Sequence, residues 1–236
     1  MSIPALQKWM VSKVAEALGP DLREQVAFVG GCTTSFLLTD EFVLEQVRHT
    51  EDVDLIVHVM GYPGFYALQQ ALRAKGFKDM PPDPEESAPV CAMKLGDLRV
   101  DFMPDDPQVL GFGNRWYGDA LKTAMPYKLS DDLSIRLVNP SYFLATKLEA
   151  YKGRGKGDTL SSHDIEDLLT LIDGRESLIN EVKAAPEELR GYLAEEFSQL
   201  LQDPNFEYAV NSQTGGNAER EQILFERIET LTQFGH

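Results

Sequence analysis

The feature that most limits the fold is the alternation of polar and apolar residues over Asp52–Met60, DVDLIVHVM. Such alternation predicts a β-strand with one buried face of valine and leucine side chains. Residues two apart in a strand point to the same side, so Asp52 and Asp54 project together from the opposite face. The sequence therefore predicts a sheet that presents paired carboxylates where one strand begins.

Further strand and helix patterns surround this segment in the first 138 residues. We expect strands at Gln25–Val29, Val90–Leu95, Leu98–Met103 and Ser134–Val138. We expect an N-terminal helix ended by Gly19-Pro20 and helices at Thr33–Val47 and Phe65–Lys75. Turns are predicted at Gly61–Gly64 and Gly96-Asp97, an acidic, proline-rich loop at Met80–Pro89, and irregular structure over 111–129.

From residue 139 onward the patterns are those of helices. Helical spacing between Gly, Pro or Asn residues predicts helices at Ser141–Lys152, Ser161–Asp173, Glu176–Ala184, Pro186–Gln202 and Ala218–Phe234. We therefore expect an α+β protein, in which residues 1–138 form a mixed domain and residues 139–236 an all-helical C-terminal domain.

Charge and composition limit the partners. The net charge of −16 disfavours broad non-specific binding to nucleic acid and binding to an anionic membrane surface. No apolar run approaches the roughly 18 residues of a transmembrane helix, and the N-terminus lacks the apolar core of a signal peptide. Two cysteines, Cys32 and Cys91, without metal-type spacing favour a reducing compartment. We expect a cytoplasmic protein.

The paired carboxylates predict a metal site. Two carboxylates this close repel each other, and a divalent cation between them removes the conflict. Mg²⁺ binds one or two carboxylates together with phosphate oxygens and water. Asp101 supplies a third carboxylate if its strand is a neighbour, and such a triad can hold two ions about 3.5–4 Å apart for in-line displacement at phosphorus. The alternative for Asp52 and Asp54 is a solvated strand start in which one of them caps a turn.

A glycine pair precedes the carboxylates. Gly30 and Gly31 allow the backbone to approach a ligand, and a following helix presents N–H groups to an anion. The pair is therefore a candidate phosphate site, although most such pairs are ordinary turns. Thr33 and Thr34 fit helix N-caps as well as phosphate ligands.

Taken in order, these features resemble the DNA polymerase β-like nucleotidyltransferase superfamily. The order is an apolar strand, Gly30-Gly31, a helix, Arg48-x-Thr50-x-Asp52-Val53-Asp54, and a later strand with Asp101. The run that begins at Arg48 resembles the branch that includes AbiEii-type toxins of toxin–antitoxin systems. A second block resembles that branch, with Lys147-Leu-x-Ala, Arg154 and Asp164-Ile-Glu-Asp167-Leu. The resemblance covers roughly residues 26–172.

The resemblance implies a minimal nucleotidyltransferase core, a mixed β-sheet with flanking helices, and a helical domain that closes over a nucleoside triphosphate. It implies that Asp52 and Asp54 bind two Mg²⁺ ions, and that Asp101 binds the catalytic ion and helps to deprotonate an acceptor hydroxyl. The residues assigned to nucleotide binding are Gly30, Gly31, Thr33, Arg48, Lys147, Arg154 and Asp164. The acceptor (RNA, protein or small molecule) stays open, and an antitoxin partner is implied.

Two residues depart from the family pattern. Gly31 stands where the superfamily often has serine, and His163 stands where lysine frequently precedes the first aspartate of the second block. Both departures concern the phosphate side of the site rather than the three aspartates.

The helical part offers its own alternatives. Lys147, Tyr151 and Arg154 share one helical face, which suits either an anionic ligand or a solvated surface with an extended lysine. Asp164 fits a capping box that begins at Ser161 as well as it fits a site residue. The glycine-rich loop 153–157 contains two cations and is a candidate phosphate contact.

The function predicted from the sequence is that of a Mg²⁺-dependent nucleotidyltransferase. One alternative within the same fold is an antibiotic-modifying enzyme of the aminoglycoside type, which the acidic composition favours because the acceptor is cationic. The other alternative is a non-catalytic nucleotide-binding or antitoxin-type partner.

Overall fold

The computed structural model describes residues 1–80, 90–154 and 158–235. It contains a seven-stranded mixed sheet, and the part described after residue 139 is helical, so the α+β prediction is confirmed. The chain divides into two compact units. The first comprises Met1–Thr33 and His49–Asn139, and the second comprises Thr34–Arg48 and Pro140–His236. Residues 34–48, which the sequence places with the first domain, therefore belong to the helical unit.

The sheet lies in the first unit. Its strands are β1 (Val26–Val29), β2 (Asp52–Val57), β3 (Lys78–Asp79), β4 (Ala92–Leu95), β5 (Leu98–Pro104), β6 (Met125–Lys128) and β7 (Ser134–Leu137). Their order across the sheet is β3-β4-β5-β2-β1-β7-β6. β2 runs parallel to β5 and β1 runs parallel to β7, whereas the other neighbours are antiparallel. The predicted strands are confirmed, and β3 and β6 are additional.

The helices of both units can be given together in chain order. They are α1 (Ile3–Arg23), α2 (Thr34–Leu37), α3 (Glu41–Leu44), α4 (Gly61–Ala74), α5 (Tyr117–Lys122), α6 (Pro140–Arg154), α7 (His163–Gly174), α8 (Leu178–Lys183), α9 (Glu187–Leu200), α10 (Pro204–Gln213) and α11 (Ala218–Thr232). α1, α4 and α5 belong to the first unit and the others to the second.

The central strands are held by large apolar side chains. Phe28, Leu55 and Phe102 of β1, β2 and β5 are at most 1% exposed. Burial of each such side chain contributes roughly 1.5–3 kcal/mol. The Phe102 ring packs edge-on against Phe77, with 5.4 Å between ring centroids. Because neighbouring residues of a strand point to opposite faces, the position of Phe102 directs Asp101 to the other face.

The predicted break at Gly19-Pro20 is confirmed, because Gly19 has a non-helical φ of +69° and separates the long part of α1 from a further turn that continues to Arg23. Two other predictions in the first unit are wrong. The predicted turn Gly61–Gly64 is the start of α4, and Pro63 costs little there because the first N–H groups of a helix have no partner in it. The segment 111–129 is not irregular. It contains α5, which buries Ala120, and β6, which exists through pairing with β7.

The single helix predicted over Thr33–Val47 is also wrong. A 3₁₀ turn at Gly31–Thr33 is followed by the short helices α2 and α3. The Asp40 carboxylate accepts hydrogen bonds from the N–H groups of Phe42 (2.8 Å) and Val43 (3.1 Å) and so begins α3. The N–H of Asp40 donates to the Gly174 carbonyl at the end of α7 (3.0 Å). These contacts interrupt the helix and dock the segment within the second unit.

The helices predicted after residue 139 are confirmed, with shifted ends, and α10 is additional. α10 begins with Asp203 as its N-cap, whose carboxylate accepts from the N–H of Asn205 (2.9 Å), and with Pro204 in the first turn. Leu193 of α9 and Leu224 of α11 are 0% exposed, and they belong to the core of this unit.

Several features bear on the remaining predictions. Within residues 1–80, 90–154 and 158–235, no helix combines the length and the apolar character that crossing a membrane requires. Cys32 and Cys91 are buried and do not form a disulfide. Residues 81–89 of the predicted acidic loop and residues 155–157 of the glycine-rich loop lie outside the described residues.

Candidate metal centre

The three predicted metal ligands lie together on adjacent parallel strands. In the register of β2 and β5, Asp52 is opposite Arg99 and Asp54 is opposite Asp101. Residues in register in a parallel pair share a face, so all three aspartates project from one side of the sheet. Each offers a carboxylate oxygen, and these oxygens lie within 4.8 Å of one another. The predicted neighbourhood of Asp101 is confirmed, and we call these three residues the acidic triad.

The acidic triad fits a small divalent cation. Mg²⁺–oxygen bonds are about 2.0–2.1 Å long, so two ligands on opposite sides of the ion are roughly 4.2 Å apart. Small side-chain rotations bring oxygens that lie within 4.8 Å onto such an ion. Carboxylates are the hard oxygen donors that Mg²⁺ and Mn²⁺ prefer. Asp101 is buried while Asp52 and Asp54 are partly exposed, so the cluster is anchored and remains open to solvent.

Gly30 makes room for the acidic triad. Its φ is +81°, and a Cβ atom placed on it would lie 1.9 Å from Oδ2 of Asp54. Any other residue would therefore combine backbone strain with a direct clash against the carboxylate. The pairing of Val29 with Asp54 across β1 and β2 fixes this approach. The glycine that the sequence associates with phosphate thus contacts a predicted metal ligand.

The neighbours of Gly30 close the turn with their own hydrogen bonds. The Thr33 hydroxyl donates to the Gly30 carbonyl (2.8 Å), and the Thr33 N–H donates to the same oxygen (3.0 Å). The Gly31 carbonyl accepts from Nε2 of Gln7 (3.3 Å). The side chains that donate these hydrogen bonds, those of Thr33 and Gln7, are buried. The roles of Gly30, Gly31 and Thr33 in nucleotide binding stay predictions.

Two further residues around the triad were not recognised as site residues from the sequence. The Thr50 hydroxyl donates to Oδ1 of Asp52 (2.5 Å), which fixes the direction of that carboxylate. Burial and the nearby Asp101 raise the pKa of the Cys91 thiol to about 12. Cys91 is therefore a neutral thiol at neutral pH and offers no thiolate to a metal ion.

Arg99 is the third residue around the triad that was not recognised from the sequence, and it contacts the predicted metal ligand Asp101 directly. Its Nε donates to Oδ1 of Asp101 (3.0 Å) and its Nη2 donates to Oδ2 (2.9 Å), a bidentate pair. The hydrogen bond to Asp101 and the charges of Asp101, Asp52 and Asp54 raise the pKa of Arg99. The alternation Arg99-Val100-Asp101 was visible in the sequence and placed both side chains on one face. Acidic triad and Arg99 together comprise three carboxylates and one guanidinium.

The remaining predicted site residues form a second cluster, within the helical unit, which we call the buried ion network. Its members are Arg48, Lys147, Arg154, Asp164 and Asp167. Arg48 donates to both oxygens of Asp167 at 2.8 Å, and the Thr34 hydroxyl contacts the same carboxylate at 3.5 Å. Lys147 Nζ lies 2.6 Å from Oδ2 of Asp167 and 3.2 Å from Oδ1 of Asp164. Asp167 lies in the second block of the resemblance, but no role was assigned to it from the sequence.

Burial and charge pairing set the ionisation of this network. Burial alone would lower the pKa of Lys147, but Asp167 and Asp164 outweigh it and raise that pKa above 10.5. Burial alone would raise the pKa of Asp167, but Lys147 and Arg48 outweigh it and lower that pKa below 3.8. The side chains of Lys147 and Asp167 are 8% and 2% exposed. A phosphate that binds Lys147 would have to compete with two carboxylates already in place.

Two of the alternatives for this cluster are wrong. Lys147 is buried, so it is not a solvated surface lysine. Asp164 does not cap α7, because Ser162 is the N-cap and its hydroxyl accepts from the N–H of Ile165 (3.4 Å). Asp164 instead accepts two hydrogen bonds from Arg154, at 3.0 Å each. The nucleotide-binding roles of Arg48, Lys147, Arg154 and Asp164 stay predictions.

The chemistry that the site permits follows from its donors. The acidic triad offers oxygen ligands to a divalent cation, and Gly30 brings the backbone against one of those ligands. No protein-family model matches the chain, and a search of curated proteins gave no match.

Proposed function

We propose that this protein is a Mg²⁺-dependent nucleotidyltransferase that moves a nucleoside monophosphate from a nucleoside triphosphate to an acceptor hydroxyl. The observation that carries the proposal is the acidic triad, with Asp52 and Asp54 on β2 and Asp101 in register on β5. Three carboxylates on one face of adjacent strands suit the two-ion arrangement used for displacement at phosphorus. The order of motifs that resembles the nucleotidyltransferase superfamily points to the same reaction.

The residues of the triad would divide the work by position. Asp52 and Asp54 would hold two Mg²⁺ ions, and Asp101 would complete the coordination of one of them. When bound, the ions neutralise charge on the triphosphate and on the attacking and leaving oxygens. An Asp101 carboxylate oxygen would accept the proton of the acceptor hydroxyl. Thr50 keeps Asp52 aimed at the site through its hydrogen bond, and catalysis rests on positioning and electrostatics.

The turn at Gly30 supports the proposal from the phosphate side. The chain leaves β1 beside Asp54, where a side chain on residue 30 has no space. Backbone close to a metal ligand leaves room for phosphate oxygens that share the ion. The triphosphate is therefore expected along this turn, with its leaving pyrophosphate away from the acceptor.

A labelling experiment tests the proposed reaction. The full chain is incubated with each nucleoside triphosphate, labelled at the α-phosphorus, with Mg²⁺ and with RNA, protein and small-molecule acceptors. Transfer of label is expected in wild type and in the control Asp97→Asn, whose carboxylate lies on an exposed hairpin turn. Transfer is expected to disappear in Asp52→Asn and Asp54→Asn. Equal transfer by wild type and these two variants would exclude the acidic triad as the catalytic centre.

The acidic composition favours a second candidate for the acceptor. A net charge of −16 attracts a cationic small molecule, such as an aminoglycoside, more than it attracts an RNA. Label on a cationic antibiotic, together with drug resistance in cells that express the protein, would support this candidate. Label on RNA would support the toxin-like candidate. Triphosphate binding that needs no Mg²⁺ and gives no turnover would indicate a non-catalytic nucleotide-binding protein instead.

The proposal includes a setting and a partner. Two cysteines outside any disulfide agree with a reducing compartment, which is the cytoplasm in most cells. An inhibitory antitoxin partner follows from the resemblance to AbiEii-type toxins and belongs to the toxin-like candidate. Co-expression with the product of an adjacent gene, followed by the labelling experiment, tests whether such a partner suppresses transfer.

A further inference from the structure

The guanidinium of Arg99 is hydrogen-bonded to Asp101, a carboxylate that the metal ion would need as a ligand. Its two hydrogen bonds to Asp101 engage both oxygens, at 3.0 and 2.9 Å. A cation bound by the same oxygens would lie close to the guanidinium and be repelled by it. The Arg99–Asp101 pair and metal binding by Asp101 therefore oppose each other.

The position of Arg99 allows it to leave Asp101. Its side chain is 33% exposed, whereas that of Asp101 is 10% exposed, so the arginine has more free space in which to adopt another rotamer. Arg99 lies opposite Asp52 across β5 and β2 and points to the face that carries the triad. A guanidinium that leaves Asp101 therefore remains at the edge of the same site. Its planar shape matches phosphate in the same bidentate manner as carboxylate.

We propose that Arg99 is an exchangeable counter-ion of the acidic triad, which neutralises Asp101 in the metal-free protein and passes to the triphosphate when metal and nucleotide bind. This inference rests on the proposed nucleotidyltransferase function and names a positioning residue of that site. Arg99 lowers the affinity for metal alone. This effect disappears when a triphosphate is present, because the phosphate draws the guanidinium away from Asp101. Metal and nucleotide binding are thereby coupled.

Direct measurement of Mn²⁺ binding tests the inference without any need for turnover. Free Mn²⁺ is titrated by electron paramagnetic resonance against the full chain, with and without α,β-methylene-ATP, and a titration of the nucleotide alone corrects for its own binding. The variants are Arg99→Gln, Arg99→Lys and Asp101→Asn. Thermal unfolding with and without Mn²⁺ accompanies each titration and establishes which variants are folded.

Without nucleotide, Arg99→Gln is expected to bind Mn²⁺ about tenfold more tightly than wild type, because the competing bidentate pair is gone. α,β-Methylene-ATP is expected to tighten Mn²⁺ binding by wild type about tenfold and by Arg99→Gln less than about twofold. Arg99→Lys is expected to lie between them, since an ammonium keeps the charge but not the planar fork. The melting temperature of Arg99→Gln should rise more on addition of Mn²⁺ than that of wild type.

The outcomes separate this inference from the function on which it rests. If Arg99→Gln and Arg99→Lys bind Mn²⁺ as weakly as wild type or more weakly, Arg99 holds Asp101 in place and the exchange is refuted. If Asp101→Asn loses Mn²⁺ binding and wild type binds Mn²⁺, the acidic triad is still supported as a metal site even when the Arg99 exchange is refuted. Mn²⁺ binding that is equal in wild type and Asp101→Asn would refute the triad as a metal centre and the Arg99 inference with it.

Discussion

Two clusters built on aspartates differ in how their charge is balanced. The acidic triad with Arg99 comprises three carboxylates and one guanidinium, and two of the carboxylates are partly exposed. The buried ion network comprises two carboxylates and three cations, and the side chains of both carboxylates are at most 8% exposed. The first cluster has an excess of negative charge that a cation from solution can neutralise. The second already neutralises its carboxylates with side chains of its own unit.

The difference shows that the residue type does not decide the role. Removing one partner of a buried ion pair leaves a buried charge without compensation, which destabilises the fold. Carboxylates held together without sufficient compensation bind cations. We therefore expect changes in the acidic triad to alter metal binding and activity, and changes in the buried ion network to alter stability.

The largest effect is expected for Asp54→Asn. Loss of a carboxylate shared by both ions should reduce nucleotidyl transfer at least about a thousandfold, roughly 4 kcal/mol of transition-state stabilisation. The free energy of unfolding should stay equal or rise, because repulsion within the triad falls. Labelled-nucleotide transfer and urea unfolding measure the two quantities, with Asp97→Asn as the control. A variant that transfers normally but unfolds easily would reverse the roles assigned to the two clusters.

Lys147→Met is expected to have the opposite profile. The change removes the ammonium that contacts both Asp164 and Asp167 and keeps a similar shape, so the free energy of unfolding should fall by about 3–5 kcal/mol. Urea unfolding checks this result. The matched control is Lys122→Met, whose side chain is 75% exposed and whose ion pair contributes about 0–1 kcal/mol. A loss below about 1 kcal/mol for Lys147→Met would contradict a structural role for the network.

Gly30→Ala is expected to affect both stability and the metal site. Its cost should be about 2–3 kcal/mol, since the added Cβ meets Asp54 at 1.9 Å in addition to the left-handed backbone strain. Gly96→Ala is the matched control, because Gly96 also has a positive φ but a Cβ there meets nothing within 4 Å. Mn²⁺ titration and urea unfolding are measured for both. Equal costs and equal Mn²⁺ affinities would show that the close approach to Asp54 is unimportant.

The pH dependence of stability tests the ionisation of Asp167 and Lys147 in the buried ion network. The pKa of Asp167 is lowered in the folded state, so its contribution is fully present above the ordinary value of 3.8 and is lost as the pH falls through the folded value. The pKa of Lys147 is raised, so its contribution is present below 10.5 and is lost as the pH rises through the folded value. Urea unfolding between pH 7 and pH 3 should show less acid dependence in Lys147→Met than in wild type. An unchanged acid dependence would show that Lys147 is not what lowers the pKa of Asp167.

The smallest effect is expected at the edge of the network. Arg154 pairs with Asp164, but its side chain is 73% exposed. Arg154→Gln should therefore lower the free energy of unfolding by only about 0.5–1 kcal/mol. Urea unfolding beside Lys147→Met compares the edge and the centre of the same network. A loss as large as that of Lys147→Met would mean that solvent exposure does not determine how much each of these ion pairs contributes to stability.

The strands and the acidic triad were predictable because a period of two fixes the face of each side chain. The alternation at Asp52 and Asp54 gave the strand and its carboxylates, and the order of motifs suggested Asp101 as their neighbour. The bidentate contact of Arg99 was not predictable, since its shared face was visible but the rotamer that brings it onto Asp101 was not.

Elements that depend on contacts with distant residues were not predictable from the sequence. The helix expected over Thr33–Val47 is interrupted where the segment meets Gly174, about 135 residues away along the chain. β6 exposes most of its side chains and exists through its pairing with β7. The sequence left open whether Lys147 faces a ligand or solvent, because its burial depends on carboxylates from another helix. Local patterns carry no information about such partners.

Anomalous diffraction from crystals that contain Mn²⁺ and α,β-methylene-ATP shows whether the acidic triad binds metal. Two anomalous peaks are expected about 3.5–4 Å apart, in contact with carboxylate oxygens of Asp52, Asp54 and Asp101. The Arg99 guanidinium is expected to have moved from Asp101 to a phosphate. The absence of any anomalous peak at the acidic triad under saturating Mn²⁺ and nucleotide would refute a metal centre at these three residues.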